Sequence, residues 1–317
     1  MFRRTSLISL VMIVSLLFVA CGNANKTSGT PENSVTPEIT AAESVEPAPE
    51  ATPEPETAPT PKPGYSTTQT IYPIEKGDGI RHPITENDTG YTLIQAVANK
   101  SAYNTSFMIA SKTGKIIVMD PSSMPFQKLL PLVPDIVTVT HAHQDHFDAN
   151  FVRVAEKNGS KIMNSFAIGD ITLEDIHVYS LYSDHNGDNI SSESPTNLIY
   201  VYEVDGLRIA YLGDIGQSKL IDEQLKAMGT IDILLTQLDN SFSNLSYKRD
   251  EKAKTIIKQL NPKIIITTHS LPEYDKDLAT YLGAEYEMVD TILAVDASKL
   301  KDEKNRVVFI SQLQKYE

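Results

Sequence analysis

The stretch His141-Ala142-His143-Gln144-Asp145-His146 puts three imidazoles and a carboxylate within six residues. Neutral imidazole and carboxylate are the usual ligands of zinc and other divalent first-row metals, and a short loop carrying several of them can aim their lone pairs at one point. Packing inside a helix or strand has no use for such a cluster. Ile136-Val137-Thr138-Val139-Thr140 just before it is β-branched and apolar, the composition of a buried strand, so the cluster begins where a strand ends. Beyond it, Asp148 is placed as a helix N-cap, Phe147 and Val152 as a hydrophobic staple, and Gly159 as a stop, which predicts a helix near 149–158. Candidate metal ligands at a strand-to-helix junction suit an α/β architecture.

Working outward, strands are expected at 91–98, 105–110, 115–119, 176–182, 198–204, 207–212, 231–235, 263–268 and 306–311. A second helix is expected at 249–260, ended by Asn261-Pro262, and Asp205-Gly206 carries a two-residue hairpin signal. His141, His185, Asp214 and His269 each stand just past the carboxyl end of one of these strands. In α/β sheets that rim is where ligands bind, so four separate connections deliver metal-ligand residues to one edge. With Cys21 as the sole cysteine, neither an intrachain disulfide nor a thiolate cluster is available, and a metal site must be built from His, Asp and Glu.

The His-x-His-x-Asp-His motif, followed in order by His185, Leu212-Gly213-Asp214 and His269, resembles the metallo-β-lactamase superfamily over most of 91–311. Within it the chain is most similar to the ascorbate-phosphate-lactonase-like hydrolases, through Met119-Asp120-Pro121, Thr140-His141-Ala142-His143 and the run Gly206 to Asp214. The resemblance implies a four-layer αβ/βα sandwich. It assigns His141, His143 and His185 to a first metal, Asp145, His146 and His269 to a second, and Asp214 to a bridge between them. Zn2+ leads as the metal, with Mn2+ and Fe2+ suited to the same ligands. Asp145 and Asp214 are expected to serve catalysis, and Asp120 to orient a ligand histidine from behind. The implied reaction is hydrolysis of an ester, lactone or phosphoester bond by a hydroxide shared between two metal ions.

Two positions depart from the family pattern: Tyr211 stands where relatives often have histidine, and Gln237 where they often have proline. Strand alternation turns Tyr211 away from the face of Ala210 and Leu212, which makes it a packed aromatic. Gln144 should point outward. His177, inside a strand, and His82, before Pro83, are expected to be ordinary packed or surface histidines.

At the start of the chain, Arg3 and Arg4 precede an apolar run from Leu7 to Ala20, a secretory signal pattern. As a transmembrane anchor the run is short of the roughly 20 residues a span needs. Phe18-Val19-Ala20-Cys21 resembles the lipobox of bacterial lipoproteins, which implies a signal peptide at 1–20 and a lipidated Cys21. From residue 21 to 64 the chain turns to Pro, Glu, Thr, Ala and Ser, with nine of its eighteen prolines, too little apolar surface to fold and enough proline to stay extended. Residues 65–317 remain for one α/β hydrolase domain, held outside the cytoplasm on the cell membrane by a lipid anchor.

The formal charge of −13 becomes −15 once Arg3 and Arg4 are removed with a segment that has no acidic residue. Such a surface repels nucleic acid and lacks the basic stripe its backbone needs, which leaves a small-molecule substrate. The loops 186–197 and 238–247 are the expected pocket walls, and they contain no arginine to clamp a phosphate. Two rivals stand beside the hydrolase: a β-lactamase, disfavoured by the bridging aspartate, and a surface lipoprotein that binds metal or a ligand without turnover.

Overall fold

The computed structural model describes residues 83–97, 105–122, 132–165, 167–290 and 292–311. The expected signal peptide, Cys21, the linker and His82 lie outside them. Within them, six strands form one sheet: β1 (Thr92–Val97), β2 (Ser106–Ala110), β3 (Ile116–Met119), β4 (Ile136–Thr138), β5 (Lys161–Met163) and β13 (Ile292–Val295), in the order β13-β1-β2-β3-β4-β5. A second sheet has eight: β6 (Asp170–Leu173), β7 (Ile176–Ser183), β8 (Asn197–Val204), β9 (Leu207–Tyr211), β10 (Ile233–Gln237), β11 (Ile264–Thr268), β12 (Glu285–Asp290) and β14 (Arg306–Ser311). Their order is β12-β14-β11-β10-β9-β8-β7-β6.

Strand alternation sorts the side chains into layers. Ile94, Phe107, Ile117 and Ile136 of the first sheet meet Val178, Tyr200, Ile209, Tyr211, Leu235 and Ile266 of the second in a core between the sheets. The opposite face of the second sheet, with Ile199, Val201, Ala210, Leu234 and Ile265, is covered by helices α2 (Asp222–Met228), α3 (Lys252–Leu260) and α4 (Pro272–Leu282). Helix α1 (Ala149–Lys157) covers the first sheet, setting Phe151 and Ala155 against Leu93, Met108, Val118 and Val137. A short helix α5 (Ala297–Leu300) precedes β14. The result is the helix–sheet–sheet–helix sandwich expected.

Directions within the second sheet decide where the site falls. β7 and β9 both run antiparallel to β8, and β9, β10 and β11 run parallel. The carboxyl ends of β7, β9, β10 and β11 therefore share one edge. Asp205 and Gly206 turn β8 into β9 with φ of 54° and 80°, both positive, as a tight hairpin turn of this kind requires.

Three elements differ from the sequence reading by two residues or more at a boundary. β4 stops at Thr138 instead of Thr140 because the Thr140 amide donates to Asp120 Oδ1 at 2.6 Å and leaves the ladder. β10 runs from Ile233 to Gln237 instead of 231–235, and Asp232 just before it accepts the Arg208 amide on Oδ2 at 2.8 Å. α3 starts at Lys252, where Asp250 caps it by accepting the Lys252 amide at 3.1 Å. The reading also omitted β5, β6, β12, β13, α2, α4 and α5.

Candidate metal centre

Each candidate ligand reaches the site from a strand end. His141, His143, Asp145 and His146 come from the turn between β4 and α1, His185 from the end of β7, Asp214 from the end of β9 and His269 from the end of β11. Asp148 caps α1, accepting the Asn150 and Phe151 amides at 2.9 and 3.0 Å, and so fixes where the histidine turn must end. His269 itself has φ of 40°, a conformation costly for a residue with a side chain and the kind of strain that gathers at functional sites. Gly213 holds φ of 55° beside Asn197 and Thr140, and any Cβ there would lie 2.6 Å from Asn197 Oδ1.

Asp214 lies between two groups of imidazoles. Its Oδ2 is 3.8 Å from His141 Nε2 and 3.6 Å from His185 Nε2, while its Oδ1 is 3.2 Å from both His146 Nε2 and His269 Nε2. On the first side His143 Nδ1 closes to 3.1 Å from His141 Nε2. On the second, Asp145 Oδ2 stands 3.7 and 3.8 Å from the Nε2 atoms of His146 and His269. Ligand atoms of His141, His143, His185 and Asp214 all lie within 4.8 Å of one another, and so do those of Asp145, His146 and His269. All seven residues singled out from the sequence are thus brought together, and a third set of ligand atoms within the same distance, Asp120, His141 and His146, joins the two groups.

The donor set fits two cations. His185 Nε2 and Asp214 Oδ1 are buried without a well-formed hydrogen bond, an arrangement costly in a protein interior unless something else satisfies them. His146 Nε2 and His269 Nε2 approach to 3.4 Å with Asp214 Oδ1 before them. Four of the histidines and Asp214 are at most 5 % exposed, and His143 and Asp145 open toward solvent.

The local field favours positive charge. Burial works against protonation of His146, yet the Asp214 and Asp120 carboxylates outweigh it and hold this imidazole above its usual range. Burial likewise opposes ionisation of Asp214, but His146 and His269 keep its carboxyl well below the ordinary value. His141 is pushed down, first by burial and then by His146. Carboxylates that draw a proton onto a buried imidazole will also draw a divalent ion.

Asp120 stands behind the ligands. Oδ1 accepts from the Thr140 amide, and Oδ2 accepts from Thr140 Oγ1 at 2.5 Å and faces His146 Nδ1 at 2.7 Å. That contact places the proton on Nδ1 and turns the Nε2 lone pair toward Asp214.

Several supports were not legible in the sequence. Asn197 on β8 accepts the Asp214 amide at 3.2 Å and donates to Leu212 O at 2.9 Å, holding the turn that presents Asp214. Asn240 donates to Asp214 Oδ2 at 2.7 Å. Asp184 accepts from the Asn186 and Asn189 amides and from Thr196 Oγ1, shaping the loop after His185. Asn and Asp are common in loops, and only the fold shows which carbonyl or amide lies in reach; the one signal available was their crowding after strand ends.

Other residues fall where expected. Tyr211 is fully buried, donates to Thr105 O at 2.7 Å and packs edge-on against Phe107; burial first, then the Asp120 and Asp214 carboxylates, pushes its hydroxyl above the usual range. Gln144 is exposed. His177 sits apart on β7 between Glu203 and Asp170, 3.0 Å from each; the hydrogen bond to Glu203 leads in raising its pKa. Gln237 is buried and structural, donating to Ile215 O at 2.7 Å. Both expected pocket walls are in place: a cavity of about 480 Å3 over His141, His143 and His185 is lined by Asn186, Pro195 and Thr196 from one loop and Phe242 from the other.

Comparison with known proteins agrees with this geometry. A family model described as the β-lactamase superfamily domain matches residues 101–269. Over 177 residues the chain is 24% identical to a metal-dependent hydrolase of Thermococcus onnurineus, covering 49% of this chain and 77% of that one. A second such hydrolase, from Thermococcus kodakarensis, is 23% identical over 180 residues with the same coverage. Among solved structures, a metallo-β-lactamase-superfamily protein from Thermotoga maritima is 23% identical with a TM-score of 0.49, covering 70% of this chain and 100% of that one. The metallo hydrolase Igni18 of Ignicoccus hospitalis is 14% identical with a TM-score of 0.46, covering 71% and 96%. Because the family model takes in more than half of its residues, the chain belongs to the β-lactamase superfamily, as a metal-dependent hydrolase of the metallo-β-lactamase type.

Proposed function

We propose that this hydrolase works with two divalent ions, zinc first among them, on an ester, lactone or phosphoester, in the manner of the lactonase-like branch of its superfamily. The observation that carries this reading is the placement of Asp214, with one carboxylate oxygen toward His141 and His185 and the other toward His146 and His269. A carboxylate so placed offsets the repulsion between two cations and lets them sit close together. His141, His143 and His185 hold the first ion, and Asp145, His146 and His269 the second. When bound, the pair supplies Lewis acidity that activates a water and polarises the bond to be cleaved.

The protein's own groups do the rest. Asp214 and the buried imidazoles fix the ligand geometry in advance, so little reorganisation remains during reaction. Asp120 keeps His146 in the tautomer that presents Nε2. Asp145, half-exposed at the mouth, both completes the second ligand group and lies where a proton can pass to solvent. A β-lactamase is a weaker reading, because the carboxylate stands between the two ligand groups.

Elemental analysis of the purified protein, combined with a panel of esters, lactones and phosphodiesters, tests this reading. About two metal ions per chain and turnover that a chelator abolishes and added metal restores are expected. Two bound ions with no turnover across the panel would instead favour a binding protein. We also propose that the chain is a lipoprotein tethered outside the cytoplasm through Cys21, supported by the Phe18-Val19-Ala20-Cys21 pattern. Cys21→Ser should then move the protein out of the membrane fraction, and its persistence there would remove the lipid anchor.

A further inference from the structure

Between β10 and α3 the chain makes a turn that touches both the metal ligands and the pocket mouth. Asn240 is buried with its side chain fully committed: Nδ2 donates to Asp214 Oδ2 at 2.7 Å and to Gln237 Oε1 at 2.9 Å, and Oδ1 accepts the Phe242 amide at 3.0 Å. Gln237 is itself anchored on Ile215 O, and the turn is closed by paired backbone bonds of 3.0 Å between Asn240 and Leu245. One amide side chain therefore fixes a carboxylate of the metal centre and the backbone of a pocket residue.

That pocket residue is unusual. Phe242 is 81% exposed although a phenyl ring gains by burial, and it lines the cavity above His141, His143 and His185. Among the described residues the rest of the lining is Ala142, Pro195, Ser165, Asn186 and Thr196, with no lysine, arginine or carboxylate. Of the cations beside the turn, Lys252 spends its Nζ on Asn244 O at 2.8 Å and Gly216 O at 3.3 Å, and Arg249 donates from Nε to Ser246 Oγ at 3.1 Å. Such a wall gains from an apolar substituent and offers no counter-charge to an anionic one.

We infer that Asn240 is a positioning residue that couples the two halves of the site, orienting Asp214 with its amide N–H and seating Phe242 with its carbonyl. Phe242 is then the specificity-determining contact for an uncharged, apolar substituent of the substrate. The substrate half rests on the hydrolase reading above; the Asn240–Asp214 half is read from metal binding alone.

Three variants of the full-length chain separate the parts. Asn240→Ser retains an N-cap acceptor for the Phe242 amide and is too short to reach Asp214, Asn240→Ala loses both contacts, and Phe242→Ala removes only the ring. Zinc affinity is measured by competition with a chromophoric chelator, and kcat/KM on p-nitrophenyl acetate, butyrate and hexanoate. Both Asn240 variants should bind zinc roughly 10- to 100-fold more weakly, as the loss of a group that orients a ligand usually does, with Phe242→Ala matching the wild type. The hexanoate-to-acetate ratio of kcat/KM should fall about tenfold in Phe242→Ala and Asn240→Ala and hold in Asn240→Ser, which is the burial of a few methylenes. Unchanged zinc affinity in Asn240→Ser overturns the coupling, and an unchanged ratio in Phe242→Ala overturns the specificity role. If the wild type hydrolyses none of the esters while zinc affinities shift as expected, the hydrolase substrate reading is at fault and the Phe242 role falls with it, leaving the Asn240–Asp214 link standing.

Discussion

Asp120 Oδ2 lies 2.7 Å from His146 Nδ1, and this contact decides which way the most buried imidazole of the centre faces. Asp120 also carries the Thr140 amide and hydroxyl, and its own φ is 47°. Asp120→Ala leaves the buried Thr140 amide and His146 Nδ1 unpaired, each costing about 1–3 kcal/mol, and frees the His146 ring. We expect a 10- to 100-fold loss of metal affinity at the group holding His146. Metal content after dialysis against graded chelator, read with the urea midpoint, checks this. Wild-type retention of both ions in the variant would reduce Asp120 to a backbone support.

The candidate ligands were legible in the sequence because they combine metal-binding side chains with strand ends, and the fold sends those ends to one edge. His141, His185, Asp214 and His269 all follow that rule. Tyr211 was readable as core for a similar reason, strand alternation. The supports were not readable: Asn197 and Asn240 act on Asp214 through hydrogen bonds that span 17 and 26 residues of sequence. β6 and β12 escaped because they are edge strands, half open to solvent, with Asp170, Glu285 and Glu287 in place of the apolar alternation that marks a buried strand. α4 escaped because its N-cap position is Leu271, with no capping side chain, so Pro272 was its only start signal.

Asp275 in α4 predicts a pH effect away from the metal ligands. It is fully buried, Oδ1 accepts Ser270 Oγ at 2.5 Å, and Oδ2 lies beside Thr267 without a well-formed hydrogen bond. Burial pushes its carboxyl up from 3.8 to about 6. Between these values the folded protein holds a proton that the unfolded chain releases, so stability falls as pH rises through this window, with the full cost present above it. Asp275→Asn removes up to about 3 kcal/mol of that cost at neutral pH, less about 0.5 kcal/mol for the negative charge lost from the first helical turn. The variant should be more stable than the wild type at pH 7.5 and similar at pH 4. Equal urea midpoints at pH 7.5 would show that Asp275 ionises at no cost.

Gly216 tests how closely the pocket loops are packed. A Cβ there would lie 2.2 Å from His185 O and 2.5 Å from Ser243 O, both backbone atoms that cannot rotate away. Gly216→Ala must therefore push apart the connection carrying His185 and the turn carrying Phe242. A loss on the order of 3 kcal/mol is expected, at the upper end for overpacking, with weaker metal binding because His185 moves. A variant with wild-type unfolding midpoint and metal affinity would mean that these loops yield freely.

Asp214→Asn separates the bridging role from a merely structural one. The turn does not depend on the Asp214 side chain, since its amide is already accepted by Asn197 Oδ1 at 3.2 Å. Asn keeps the shape and can still accept the Asn240 amide at Oδ1, but it loses the negative charge that holds the His146 imidazole above its usual range. The metal-free protein should thus keep its fold, less stable than the wild type by the attraction lost between Asp214 and the His146 and His269 rings. What Asn cannot do is offset the repulsion of two cations held close together. Metal content should fall from about two per chain toward one, the ion beside Asp145, His146 and His269 leaving before the one held by three imidazoles, and turnover should drop by about a hundredfold or more. If Asp214 only braced the turn, Asn would serve as well, and unchanged metal content with unchanged turnover would remove the bridge and the two-ion mechanism with it.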